Sequence, residues 1–155
     1  MRIVTLDPGG TTGYCYIRVS KEKLERFESG QIVGHDHHVE LHSLLSEKMP
    51  HLIISESFEY RNRSRAGLVL VSKEYIGVAK LYAAHNGIHY LEQSPSQAMG
   101  FATDYVIRNL NWWKASKPHA MDAVRHMIYF GVNGNHDIET LREYILKFGF
   151  RNSKK

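Results

Sequence analysis

A chain of 155 residues with 43% apolar and 23% charged residues has material for a packed core and lacks the bias of a fibrous or disordered protein. Its formal charge of +4 suits an anionic partner without demanding one, and a solitary Cys15 excludes an internal disulfide. The opening MRIVTLDPGG is too soon interrupted for a secretory signal, and no apolar run reaches membrane-spanning length. The expectation is one domain spanning 1–155, soluble and cytoplasmic, with no membrane partner.

The first predicted element is a short buried strand, Ile3 to Leu6, with Asp7 at its end and a Gly- and Thr-rich turn behind it. Tyr14 to Val19 and Phe27 to Val33 read as a second and third strand, and the short links between them favour an antiparallel meander. Val39, Leu41, Leu44, Leu45 and Met49 recur at helical spacing, and Pro50 ends that run. HLIISESFEY is a second continuous apolar strand tipped by an acid, Glu56. Gly67 to His85 reads as a long helix closed by Asn86-Gly87, where Gly87 can take positive φ. Ile88 to Leu91 is a fifth strand. Ser94 before Pro95 starts another helix, Pro118 to Phe130 forms the next, and Ile138, Leu141, Tyr144, Ile145 and Phe148 mark an amphipathic tail helix. A meander followed by strand–helix alternation points to an α/β domain with a mixed sheet of about five strands.

The turn DPGGTTG decides between three chemistries. A phosphate loop needs Lys and Ser or Thr entering a helix, and a dinucleotide fingerprint needs its glycines at a helix N-terminus. Here no Lys is present and the strand-like YCYIRV follows, so a carboxylate fixed at a strand end is the better reading. Asp7 alone could cap its own turn. Glu56 sits at the tip of a second strand at the same pole, and two bare carboxylates there would repel. A divalent cation such as Mg²⁺, which prefers hard oxygen ligands, resolves the conflict.

KPHAMDAVRHMIYF adds His119 and Asp122, three apart on one helical face. As an isolated pair they could simply bond to each other. With Asp7 and Glu56, three acids and an imidazole could hold two cations about 4 Å apart, the arrangement that clamps a phosphodiester. His119 is then a ligand or a base. Asp122 is also expected to gain from the positive end of the helix dipole.

LDPGGTTG, IISES and HAMDAVRH, in this order and spacing, resemble the RuvC-type Holliday junction resolvases, especially their short phage-encoded forms. The resemblance implies an RNase H-like fold, a homodimer, Mg²⁺ or Mn²⁺ as cofactor, and paired nicks in a four-way DNA junction. It makes Asp7, Glu56 and Asp122 metal-binding catalytic acids, with His119 at a position that members fill with an acid or a histidine. A phage-encoded form would act in the host's bacterial cytoplasm. The chain departs from the pattern at Glu59, where members often carry an aromatic that probes the junction; Phe58 and Tyr60 flank it. Lysines before the last motif reduce to Lys114 and Lys117.

Arg61, Arg63 and Arg65 follow the Glu56 strand, where arginines can bind substrate phosphates, and Lys73 and Lys80 extend a basic stripe along the next helix. Phe58, Tyr60 and Lys114 complete the expected DNA contacts. Trp112-Trp113 reads as one core and one partly exposed indole, and His35, His37 and His38 as a solvated turn. A broader branched-DNA nuclease acting on flaps, forks or packaging intermediates, and a non-catalytic junction-binding module, remain as alternatives. DPGGTTG also resembles the first phosphate motif of the sugar kinase and actin superfamily, but no second glycine-rich turn of that type accompanies it.

Overall fold

The structure, a computed structural model, describes residues 1–34, 36–58, 66–134 and 138–151, of which 66–70 as backbone only. Its strands are β1 (Arg2–Asp7), β2 (Thr12–Val19), β3 (Leu24–Ile32), β4 (Leu52–Glu56) and β5 (His89–Gln93). Its helices are α1 (His37–Lys48), α2 (Ala66–His85), α3 (Pro95–Phe101), α4 (Asp104–Asn109), α5 (Pro118–Asn133) and α6 (Glu139–Gly149). The strands form one sheet in the order β3-β2-β1-β4-β5. β1, β2 and β3 pair antiparallel, whereas β1–β4 and β4–β5 are parallel. This is the mixed five-stranded sheet expected from the sequence.

Side-chain alternation along the central strands builds two cores and also places the site. Ile3 on β1 and Leu52 and Ile54 on β4 face one core, shared with α5 and α6, while Val4, Leu6 and Ile53 face the other, shared with α1 and α2. Asp7 and Glu56 therefore fall on the α5 side by parity. Both strands are buried on both faces, which explains why they read as continuous apolar runs rather than alternating ones. Ile3, Ile17, Ile53 and Ile54 have no exposed surface, and burial of side chains of that size contributes about 1.5–3 kcal/mol each.

Two contacts to the backbone of α5 hold it against β1 and β2. The Thr5 hydroxyl, fully buried, donates to the Ala123 carbonyl at 2.6 Å. Gly13 lies so near the first turn of α5 that a Cβ there would be 1.8 Å from the His119 carbonyl oxygen. The glycine is thus required by the close approach of helix and strand. Gly9, Gly10 and Gly13 all keep ordinary φ, so the turn itself needs no left-handed residue; positive-φ glycines are found at Gly34 and Gly87.

The elements differ from expectation at several places, among them β3, which starts at Leu24 and not at Phe27. α4 is an additional short helix, six residues long and buried through Val106 and Ile107, too brief to show a helical stripe in sequence. α1 begins at His37, which is buried and not part of a solvated turn: its ring nitrogens meet Tyr75 Oη at 2.8 Å and the Ile32 carbonyl at 2.9 Å. Val39 is two-thirds exposed, and the helix stops before Pro50 because Met49 takes a left-handed φ of 43°. β5 runs on to Gln93. Trp112 is buried and stacked on Phe27 at 4.4 Å, with Trp113 half-buried. No helix among the described residues is long and apolar enough to cross a membrane.

Candidate metal centre

Asp7 ends β1, Glu56 ends β4, and the N-terminal half of α5 crosses above both. His119, Asp122 and His126 are spaced three and then four apart, which aligns them on one stripe of α5. Pro118 opens that helix with its φ preset and without an N–H that the first turn would leave unpaired, and the His119 backbone N–H is satisfied by Gln31 Oε1 at 3.1 Å.

The structure brings Asp7, His119 and Asp122 together, with one donor atom from each lying within 4.8 Å of the others. His119 Nδ1 is 2.9 Å from Asp7 Oδ2. Glu56 belongs to the same pole but is held separately, its Oε2 accepting from His126 Nε2 at 2.8 Å. The other nitrogen of that ring is 2.9 Å from Gln93 Oε1.

Burial raises the Asp7 carboxyl to about 6, and the charges of Glu56 and Asp122 add to the shift against the relief from His119. Burial also raises Asp122, with Glu56 working in the same direction and Arg125 against it. Asp122 is the fifth residue of α5, past the first turn where a dipole would favour its charge, and its carboxyl lies above its ordinary range. Its counterion is Arg125, whose Nη1 donates to Asp122 Oδ1 at 2.7 Å while Nη2 pairs with Asp104. Asp7, Asp122 and His119, converging and partly desolvated beside the charge of Glu56, form a donor set that fits a hard divalent cation. Asp7, Asp122 and His119 are placed to hold it, with Glu56 adjoining.

The expected nucleic-acid residues divide into two groups. Phe58, Lys73 and Lys80 line one shallow cleft with Ile76, Gly77 and Glu92, and Lys73 Nζ lies 5.6 Å over the Phe58 ring. Lys80 also pairs with Glu92 at 2.7 Å. Lys114 reaches across to the Ser29 carbonyl on β3 at 2.7 Å. Tyr60, Arg61, Arg63 and Arg65 lie outside the described residues, as do Glu59 and His35. His126, Gln93 and Arg125 were not singled out from sequence. The spacing of His126, four after Asp122, was the available signal; Gln93 had none without the register that sets it beside Glu56.

No protein-family model matches the chain, and no curated protein matches it. Among solved structures, it is similar to Thermus thermophilus RuvC in complex with a Holliday junction substrate, with 19% identity and a TM-score of 0.61 over 81% of this chain and 89% of that one. A second Thermus thermophilus RuvC structure matches over 96% of this chain and 97% of that chain, with 18% identity and a TM-score of 0.56. The fowlpox virus Holliday junction resolvase matches with 14% identity and a TM-score of 0.51, covering 84% and 95%. The fold is the RNase H-like fold of these resolvases.

Proposed function

We propose that this chain is a metal-dependent, structure-selective endodeoxyribonuclease that resolves four-way DNA junctions by paired phosphodiester nicks, working as a homodimer. The observation that carries the reading is the meeting of Asp7, His119 and Asp122 beside Glu56 at one pole of the sheet. The fold it shares with the resolvases above, one of them in complex with junction DNA, supports the choice of substrate.

In this reading Asp7, Glu56 and Asp122 are catalytic acids that hold two Mg²⁺ ions, with Mn²⁺ able to substitute. Bound cations supply Lewis-acid stabilisation of the negative charge on a phosphodiester. The chain's own residues set the geometry. Asp7 is fixed by the last step of β1, and Asp122 is steadied by Arg125. His119 has Nδ1 engaged by Asp7, which leaves Nε2 to accept a proton from attacking water. Phe58, Lys73, Lys80 and Lys114, with Tyr60, Arg61, Arg63 and Arg65, are assigned to the DNA.

The test is cleavage of a synthetic four-way junction with Mg²⁺ or Mn²⁺, mapping both nicks. Symmetric paired nicks are expected, and Asp7→Asn, Glu56→Gln and Asp122→Asn should each abolish them. Undiminished cutting by any of the three overturns the assignment, and equal rates on flaps and linear duplex overturn the junction preference.

A further inference from the structure

We propose that His126 is a positioning residue for Glu56, fixing its carboxylate at the metal pole through a chain that runs Gln93–His126–Glu56. The proposal rests on the reading of Glu56 as a metal-binding acid and adds how that acid is kept in place.

His126 is 1% exposed, buried in α5 as Ala123, Met127 and Phe130 are. An imidazole at such a position is unfavourable unless its polar atoms are paired. Both are, and the partners come from two other elements: Glu56 at the tip of β4 and Gln93 at the tip of β5. The parallel register sets Glu56 opposite Gln93, so the two side chains leave the sheet on the same face and reach the same ring. The ring donates from Nε2 to the carboxylate. Gln93 accepts from a protonated Nδ1 or, with its amide turned over, donates to a bare one.

Glu56 needs a tether more than the other acids do. Asp7 and Asp122 carry short side chains on a central strand and a helix. Glu56 ends its strand as Asp7 does but has an additional side-chain torsion. Its charge also acts on both Asp7 and Asp122, so repulsion favours rotation of the longer side chain away from them. A bond to a buried ring, itself anchored by Gln93, opposes that rotation. It uses Oε2 and leaves Oε1 for another partner. Polar groups that orient metal-binding side chains in this way typically change affinity or activity by roughly 10- to 100-fold when removed.

The test is Mn²⁺ titration by calorimetry on the full chain, with junction cleavage measured in parallel. His126→Leu should weaken Mn²⁺ binding by roughly 10- to 100-fold. His126→Gln, whose amide nitrogen reaches the region of Nε2, should recover most of it. Gln93→Met, which leaves the ring in place, should give a smaller loss in the same direction and keeps the test open if His126→Leu does not fold. In a Glu56→Gln background, His126→Leu should cause little further loss. Cleavage by His126→Leu should fall in kcat with KM for the junction unchanged. Wild-type Mn²⁺ affinity in His126→Leu or Gln93→Met, whatever their melting temperatures, overturns the proposal. An undiminished further loss in the Glu56→Gln background also overturns it. A wild-type chain that shows the Mn²⁺ coupling but cuts no junction supports the tether and removes the nuclease reading instead.

Discussion

Asp7→Asn should make the metal-free protein more stable at neutral pH while removing its response to metal. The Asp7 side chain is 14% exposed, and its carboxyl is raised from 3.8 to about 6, first by burial and then by Glu56. At about 1.4 kcal/mol per unit, holding it ionised above pH 6 costs the fold about 3 kcal/mol. The sign follows from proton binding. Between pH 4 and 6 the folded state holds more protons on Asp7 than the unfolded chain, so stability from this group falls as pH rises through that window and levels off above it. Asparagine has the shape of the protonated acid, and its carbonyl can still accept from His119.

For a chain of this length, about 3 kcal/mol corresponds to a rise in melting temperature on the order of 6–12 °C at pH 7.5. The advantage should shrink to about half at pH 5, where wild-type Asp7 is mostly protonated in the fold. Melting both proteins in chelator at pH 5.0, 6.0 and 7.5 measures this directly. Saturating Mg²⁺ should then raise the wild type at pH 7.5, by about 2.7 kcal/mol at a hundredfold excess over Kd, and leave Asp7→Asn nearly unmoved. A variant that melts below the wild type at pH 7.5, or whose advantage is the same at all three pH values, would show that Asp7 carries no charge strain. The same shift with Mg²⁺ in both proteins would show that it is not a metal ligand.

Gly13→Ala should destabilise by at least 1–3 kcal/mol in urea unfolding, because its Cβ has only the His119 backbone to meet, and activity should fall as α5 is displaced. Thr5→Val, similar in shape but without the hydroxyl, should cost about 0.5–1.5 kcal/mol by removing the buried bond to the Ala123 carbonyl, which keeps its own bond within the helix. Lys73→Ala should weaken junction binding and reduce the slope of log affinity against log salt by about 0.7–0.9, whereas an unchanged slope would place Lys73 away from phosphate.

The mixed sheet, antiparallel strands first and parallel ones after, was legible because β1 and β4 carry unbroken apolar runs and the long α2 ends in Asn86-Gly87, with Gly87 at a φ of 64°. Asp7, Glu56, His119 and Asp122 could be singled out because each stands at the end of an element or at a helical spacing. The role of Gly13 could not, since the contact that demands it is with a residue 106 positions later. The burial of His37 is hidden for a related reason: three histidines beside an aspartate look solvated until Tyr75, on a distant helix, supplies a partner. Arg125 and His126 belong to a stretch that was read for its acid and first histidine, and their partners Asp104 and Gln93 become visible only once the chain is folded.

The two halves of the site are held by different means, and that difference has consequences. Asp7, His119 and Asp122 are related through backbone: β1 and β2 are paired, Gly13 lets α5 close onto β2, and the Thr5 hydroxyl ties the helix one residue past Asp122 to the strand two residues before Asp7. Displacing any of these three acids or bases means moving a helix against a sheet. Glu56 shares the pole through a side chain at the end of β4, and its position depends on hydrogen bonding to one buried ring. Perturbing the backbone lock should therefore lower stability and function together. Perturbing the tether should separate them, with function lost from a protein that still folds.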